Sequence, residues 1–560
     1  MCGFFLELTN GTDDKLTTRP DLNHRGPDEH VVSELLNGKL EYFRLSIMGG
    51  TEGSSPVISD DRDWTCYING EIYNFKALQN SHNLKFSNSD TKTVVNGLEK
   101  HGLNFLRNLR GVFSGVIVHS KTNSIYIIRD PLGEKPLYVH ESNQRMVFSS
   151  EFVPLYKSLP KGIDLNFDAI ESYFRFSYIE EPDTIDNRIR HYPKGIVSRV
   201  NVSELKLEQL IDLNAEKYEE VNMSYSELTR VLFDEVLHSD VRNGLALSSG
   251  VDSNSIFHEL LRRDLEINPL IVNFPNSPSI SEFQAAVSTC EKYKVPFIEI
   301  LGNREGSLLQ GLRNLTQRND GPHADPSGFA YLNIFKGAQE NGIKVVQLGH
   351  GPDELFWGYE YLVKQNLEAR VNSIDSSLKH FWNSPADATR ILSRDIKNRG
   401  NPSRSLNSSD PYLTSSNQWV RTRAEIVHSY LSANGLRQSD RLGMSFSVEP
   451  RTVYADFRLY QWTQSNLFND NELSRNKAFF RESAYFGNER DIRVRPKLGF
   501  SSDYGQWFKD SSIKSELDES ITTLRKAGIL ESRLKFPPWN RTHEKYRVLM
   551  LGMWLQEYGN

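Results

Sequence analysis

The stretch Leu245-Ala246-Leu247-Ser248-Ser249-Gly250-Val251-Asp252-Ser253-Asn254 constrains the fold more than any other. An apolar run breaks into small hydroxylated residues and one carboxylate, and apolar residues at helical spacing follow at once (Ile256, Phe257, Leu260, Leu261). This predicts a strand, a tight loop and a helix, with loop N–H groups and the positive helix end facing a phosphate. No Lys follows the glycine, as a Walker loop requires, and the three spaced glycines of a dinucleotide fingerprint are missing. The flanking sequence repeats the alternation. Ser224-Tyr225-Ser226-Glu227 has capping-box spacing ahead of Leu228, Val231, Leu232 and Val236. Strands are predicted over 270–274, 295–300 and 344–348, with helices starting near Ser281-Glu282 and over 325–339. Strands alternating with helices mean a parallel sheet covered on both faces, with ligands at the carboxyl ends of its strands.

A chain of 560 residues is too long for one core, so at least two domains are expected. Residues 1–195 have a different rhythm, with short apolar runs separated by turns: 111–118, 124–128, the turn Arg129-Asp130-Pro131-Leu132-Gly133, then 135–138. These predict a layered, sheet-rich domain. Cys66 to Asn74 predicts a hairpin turning at Asn69-Gly70. Ser89-Asp90-Thr91 predicts a capped helix start ahead of Val94, Val95 and Leu98. Residues 196–223 mix short apolar stretches with charge and are expected to be a surface linker, leaving 224–560 as the second domain.

Composition narrows the partners. A formal charge of −6 offers no general attraction to nucleic acid or anionic membranes. No apolar run approaches the ~20 residues that span a bilayer, and Phe4-Phe5-Leu6 is cut short by Glu7, so neither a membrane segment nor a secretion signal is expected. Three cysteines (Cys2, Cys66, Cys290) are too few and scattered for a disulfide framework or zinc site. A reducing cytoplasm is the expected location. Cys2 has a chemistry of its own. Removal of Met1 would put a thiol and a free α-amine on one residue, and with reference pKa values of ~8.5 and ~7.7–8.0 the amine can take the thiol's proton. The result is a nucleophile carrying its own general base.

Cys2-Gly3, His24-Arg25-Gly26-Pro27-Asp28, Arg44, Asn69-Gly70-Glu71, Asp90 and Arg129-Asp130-Pro131-Leu132-Gly133, in this order, resemble the glutaminase domain of class II amidotransferases, an N-terminal-nucleophile fold of two stacked sheets between helices. The resemblance implies that Cys2 attacks the amide carbon of glutamine, with Asn69 and the Gly70 N–H as oxyanion hole. Arg44 would hold the glutamine α-carboxylate, and Asn69, Glu71 and Asp90 the rest of its polar head; a guanidinium fork suits a carboxylate and two acceptors suit an ammonium. The second half resembles asparagine synthetases. Ser248–Ser253 is similar to the SGGxDS loop of ATP pyrophosphatases, with Ser249 where the first Gly usually stands. Gly349-His350-Gly351-Pro352-Asp353-Glu354-Leu355-Phe356-Trp357-Gly358-Tyr359 resembles GEGxDELFxGY, Ser439 to Met444 and Glu449 to Asp456 resemble DRxSM and ExRxPFLD, and Arg495 to Phe500 resembles RxKxGF. ATP and pyrophosphate would then lie on Leu247, Ser248, Ser249, Gly250, Asp252, Ser253, Val272, Gly349 and Lys497, with Mg²⁺ on Asp252 and Asp353.

Together these imply a two-domain α/β enzyme: a glutaminase followed by a doubly wound ATP-pyrophosphatase domain, which amidates a carboxylate through an acyl-adenylate using ammonia from glutamine. Glutamine, ATP and a small carboxylate are the implied partners, and a homodimer is left open. Three departures bear on the acceptor: His350 stands for Glu, Pro352 for a small residue and Trp357 for a common Gly. A neutral imidazole lacks the negative charge that Glu would bring, so the acceptor is either aspartate or another carboxylate, such as a uronate sugar of a surface polysaccharide, with a lean to the latter. Intramolecular amide formation of the β-lactam synthetase or lasso-peptide cyclase type and a non-catalytic regulatory scaffold are the alternatives. The intact glutaminase motifs argue against the first, and Cys2, Asn69, Asp252 and Asp353 against the second.

Overall fold

The structure, a computed structural model, describes residues 2–10, 21–35, 37–216, 218–275, 280–302, 307–360, 363, 391–393, 396, 408–467, 477–487, 489–495, 504–531 and 542–559. Its N-terminal half contains β1 (Cys2–Thr9), β2 (Glu29–Leu35), β3 (Gly38–Arg44), β4 (Val57–Ile58), β5 (Trp64–Ile72), β6 (Gly111–His119), β7 (Ser124–Arg129), β8 (Tyr138–Glu141), β9 (Arg145–Ser149), β10 (Arg190–His191), β11 (Ile196–Asn201) and β12 (Lys206–Asp212). They form two six-stranded sheets, ordered β10-β8-β9-β1-β3-β2 and β12-β11-β7-β6-β5-β4. Alternation along the strands decides the layering. Phe4, Leu6 and Leu8 of β1 point with Tyr67, Val116 and Ile127 into a core between the sheets. Phe5 of β1 faces outward onto the helices Phe152–Ser158 and Phe167–Phe176, and Cys66, Ile68 and Ile117 face outward onto Val94, Val95 and Leu98 of the helix Asp90–His101. The domain is therefore helix, sheet, sheet, helix, as the N-terminal-nucleophile resemblance implies. Ser89 caps that last helix by accepting from the Lys92 N–H, as its position in the sequence predicts.

Two expectations fail here. Asn69-Gly70 is no hairpin turn: both residues lie inside the single strand β5, opposite Ser114 and Phe113. Gly70 is needed there because φ is +136° and a Cβ would stand 1.9 Å from the Val112 carbonyl oxygen. Nor is 196–223 simply a linker, since β11 and β12 add two antiparallel strands beside β7 and carry the sheet to Asp212. Their mixed polarity reflects an edge hairpin with one wet face, which resembles connecting sequence.

The C-terminal half is built on β13 (Asn243–Ala246), β14 (Pro269–Asn273), β15 (Ile298–Leu301), β16 (Val345–Gln347) and β17 (Glu449–Arg451), all parallel and ordered β15-β14-β13-β16-β17. Four of these strands and their helices match the predicted alternation, and the Ser224–Glu227 capping box is formed. The fifth is three residues long with a central proline, which suits only an edge and leaves no periodicity to read. Among the described residues no helix is long and apolar enough to cross a membrane. The helix Thr542–Tyr558 packs Leu549 and Trp554 into the largest core, and the Tyr173 hydroxyl of the first domain donates to its Arg547 carbonyl at 2.8 Å. Trp554→Ala is expected to destabilise the protein by about 3–5 kcal/mol, the usual cost of emptying such a site, and to lower the urea midpoint of unfolding accordingly.

Candidate functional site

The first centre lies where β1 begins. Cys2 is buried, its backbone N–H donates to Asn69 Oδ1 at 3.1 Å, and Asn69 Nδ2 donates to Ser114 Oγ at 3.3 Å. The side-chain amide proposed for the oxyanion hole is thus fixed beside the nucleophile by the pairing of β5 with β6. Arg25, fully buried, donates from Nε to the Cys2 carbonyl at 3.1 Å and from Nη1 to Glu151 at 3.2 Å. Arg44 ends β3 opposite Cys2, as its place in the register dictates. Its guanidinium donates to Glu29 at 2.6 Å and to the Gly50 carbonyl at 2.8 Å, so an incoming carboxylate must share it with these acceptors. Glu71, one residue beyond Gly70, is buried. Burial, with Glu449 and Asp90 nearby, raises its carboxyl to about 8, while Arg451 and the positive amino terminus of the chain work in the opposite direction. Asp90 accepts from the N–H groups of Ile72 (2.9 Å) and Thr91 (2.6 Å), yet burial still raises it. Two carboxylates in a poorly solvated recess lose much of their repulsion when an ammonium enters between them. Arg44, Glu71, Asn69 and Cys2 come from β1, β3 and β5, and Asp90 from the first turn of the helix Asp90–His101, where it accepts from the Ile72 N–H at the end of β5, so the structure brings these residues together.

The second centre lies at the carboxyl ends of β13 and β16. Leu247 leads into a loop that folds on itself. The Ser248 N–H donates to Ser253 Oγ at 3.1 Å, the Gly250 N–H to Ser248 Oγ at 3.1 Å, and Asn254 Nδ2 to the Ser248 and Gly250 carbonyls at 2.9 and 2.7 Å. Ser249 is buried, and the helix Val251–Arg262 starts straight after Gly250, which directs its free first-turn N–H groups at the loop. Asp252 lies in the first turn of this helix and Asp353 in that of Pro352–Leu355, just after the neighbouring strand. Gly349 packs so tightly that a Cβ there would stand 3.1 Å from the Asp252 Cβ, and one on Gly358 would stand 1.9 Å from Asp353 Oδ1. Val272 lies on the adjacent β14. Lys497 and the stretch 496–500 fall outside the described residues.

A residue not singled out from the sequence completes this centre. Lys477 is 3% exposed, its Nζ donates to both Asp252 oxygens at 2.8 and 2.6 Å, and the same Nζ is 2.7 Å from Asp353 Oδ1. The two aspartates sustain its charge against burial. Nothing in Asn476-Lys477-Ala478 distinguishes it from a surface lysine, because its partners are more than a hundred residues away in the chain.

His350 follows Gly349 at the end of β16. Burial pulls its imidazole down to about 4 against the influence of Asp325 and Asp353, so the ring is neutral at ordinary pH. Its Nε2 is buried without a hydrogen-bond partner, and the Tyr331 ring lies 5.5 Å away. Trp357 sits at φ +61°, the left-handed region where glycine is favoured and a bulky residue is strained. It is held there by an edge contact with Trp419, 4.8 Å between ring centroids, and by the Arg423 guanidinium over its ring.

Buried charges join the two centres. Asp440 of the second domain accepts from Arg25 at 2.9 Å and from Lys135 at 3.3 Å, with all three side chains fully buried. Thr452 donates to Glu134 at 2.9 Å, Lys194 reaches the His428 carbonyl at 2.7 Å, and the Phe152 and Val153 N–H groups donate to Asp320 at 2.6 and 2.7 Å. Asp440, quoted above only for its resemblance to a motif, is thus a structural partner of the residue that holds Cys2.

Comparison with known proteins agrees with this two-centre arrangement. Residues 1–210 match the family described as glutamine amidotransferase domain, and residues 227–555 match asparagine synthase. Asparagine synthetase [glutamine-hydrolyzing] 1 of Bacillus subtilis (strain 168) is 24% identical over 554 residues, covering 89% of this chain and 86% of the relative. Asparagine synthetase [glutamine-hydrolyzing] 2 of the same organism is 23% identical over 86% of this chain and 68% of its own length. Asparagine synthetase B [glutamine-hydrolyzing] of Escherichia coli (strain K12) is 26% identical over 61% of each chain. With a two-sheet sandwich in front of a parallel sheet, and with each half matched by its own family, the chain belongs to the glutamine-dependent asparagine synthetase family.

Proposed function

We propose that the protein hydrolyses glutamine at Cys2 and uses the ammonia to amidate a carboxylate that ATP has activated as an acyl-adenylate. A carboxylate is a poor acceptor because it is anionic and has no good leaving group. Attack of its oxygen on the α-phosphate of ATP expels pyrophosphate, and ammonia then attacks the acyl carbon and expels AMP. At the first centre the Cys2 amine would take the thiol proton, and Asn69 with the Gly70 N–H would stabilise the oxyanion of the tetrahedral intermediate. At the second, Ser248 to Ser253 and the start of the following helix would hold pyrophosphate, with Lys477 and Lys497 balancing its charge. What supports this reading most is the cation-bearing cluster of Asp252, Asp353 and Lys477 beside a phosphate loop, in the same chain as the Cys2–Asn69 pair. Asp252 and Asp353 fit Mg²⁺, which takes hard oxygen ligands from one or two carboxylates together with substrate phosphates. They would hold it where Lys477 already marks a place built for positive charge, and bound there it would supply neutralisation of the phosphate oxygens.

The acceptor is proposed to be a carboxylate other than aspartate, with a sugar uronate as the leading class. The support is His350, a neutral ring with an unpartnered Nε2 where the resembling family carries Glu. A neutral donor or acceptor suits a hydroxylated substrate better than an ammonium-bearing one. Pyrophosphate release with glutamine, ATP and a panel of aspartate and nucleotide-linked uronates tests both parts. His350→Glu is expected to raise the preference for aspartate at least tenfold while leaving glutamine hydrolysis unchanged, and equal aspartate-dependent release by both forms would refute the role given to His350.

A further inference from the structure

On β17 of the second domain, Arg451 commits two of its three guanidinium nitrogens to its own domain. Its Nε donates to Glu449 at 2.5 Å and its Nη1 to the Val236 and His238 carbonyls at 2.9 and 2.6 Å. The remaining nitrogen, Nη2, is buried, has no hydrogen-bond partner, and lies 3.6 Å from Glu71 Oε2. Glu71 belongs to β5 of the first domain, next to Asn69-Gly70. The guanidinium also lies 5.8 Å from the ring of Tyr73, whose hydroxyl is buried without a partner.

We infer that Arg451, a residue of the synthetase domain, is a positioning residue of the glutaminase centre: its unpartnered Nη2 faces the Glu71 carboxyl and aims it to receive the α-ammonium of glutamine. This rests on the proposed role of Glu71 in binding glutamine. The charged and titratable groups facing Glu71 are Asp90 at the start of its helix, Glu449 and Arg451 on β17, and the positive amino terminus of the chain, with Tyr73 two residues further along the chain. Asp90 and Glu449 disfavour the carboxylate form, and Arg451 is the cation supplied from across the boundary. Because the Glu71 carboxyl stands at about 8, it is mostly protonated at neutral pH in the glutamine-free protein. A protonated carboxyl cannot pair with an ammonium, so glutamine affinity should rise with pH towards that value and weaken further if Arg451 is removed. Arg451 also pairs in register with Gln347, two residues before Gly349 and three before His350. The same short strand therefore touches the glutamine recess on one side and the acceptor centre on the other.

The test uses the full chain. The principal variant is Arg451→Gln, which takes away the cation facing Glu71 and keeps both neighbouring carboxyls, accompanied by Arg451→Lys, which keeps the charge should the first not fold. Glutamate formation from glutamine is followed from pH 6 to 9, and ammonia-dependent pyrophosphate release reports the second centre. One unit of further rise in the Glu71 carboxyl corresponds to about tenfold in the charged fraction. Arg451→Gln is accordingly expected to raise the glutamine KM about tenfold near pH 7, to displace the pH dependence of kcat/KM to higher pH, and to leave kcat and ammonia-dependent release within about twofold. Arg451→Lys keeps the charge and should recover most of the KM. A merely structural arginine would lower the unfolding temperature without separating KM from kcat. Wild-type KM and pH profile in Arg451→Gln or, should that not fold, in Arg451→Lys together with a pH-independent wild-type KM, overturns the inference. Absence of glutamate formation by the wild-type protein would instead overturn the functional reading on which it rests.

Discussion

Cys2→Ala is expected to abolish glutamine-dependent synthesis, by at least ~10³-fold as for the loss of other covalent nucleophiles, while ammonia-dependent pyrophosphate release continues. The expectation follows from the separation of the centres: Cys2 touches Asn69 and, through its carbonyl, Arg25, whereas the phosphate loop is organised by Ser248, Ser253 and Asn254. Losing the thiol removes only the bond-forming atom and leaves the backbone N–H that holds Asn69 in place. Glutamate production and pyrophosphate release measured on one preparation, with glutamine or an ammonium salt as nitrogen source, separate the outcomes. Loss of both activities would mean that the second centre depends on the first for more than ammonia.

Lys477→Met should be nearly as damaging to the other half. It removes the ammonium that bonds to Asp252 and lies 2.7 Å from Asp353, two half-buried carboxylates at neighbouring strand ends. The attraction that offsets their mutual repulsion is lost with it. Pyrophosphate release with saturating ATP is expected to fall about 10²–10³-fold, the usual cost of losing a group that stabilises charge in the transition state. With Mg²⁺ held by Asp252 and Asp353 as proposed, the dependence on its concentration should change as well. Glutamine hydrolysis by the same variant should be normal. Pyrophosphate release within twofold of the wild type would show that the Lys477 bridge belongs to the resting protein alone.

Local features were the most legible part of the chain. Ser89 and Ser224 announce their helices because a cap is a contact over three residues, and the strand-loop-helix of Leu245 to Asn254 is a pattern complete in itself. The residues proposed for the glutaminase centre could be nominated because each falls in a short run of its own. Asn69-Gly70 misled because its dipeptide is the commonest hairpin signal, whereas here glycine serves the close approach of β6 to β5. β11, β12 and β17 were missed for want of apolar periodicity. Lys477, Arg451 and Asp440 could not have been assigned a role: each acts on a residue far away in the chain, and a buried charge shows itself only through its partner. Trp357 was noticed as a departure from glycine, and its left-handed backbone gives the physical reason that the departure matters.

The buried contact of Asp440 with Arg25 and Lys135 bears on modularity. Each half of the chain matches its own family and has its own sheets, which invites treating them as separable units. Yet separating the halves between Asp212 and Ser224 would leave Asp440 a buried anion without the two cations it faces, and would take from Arg25 and Lys135 one of the two carboxylates that each faces. Such charges are tolerated inside a protein only in company. The two catalytic units are therefore bound to a shared history: either can change its substrate, but neither can be exchanged for a foreign module unless the newcomer brings the matching charge.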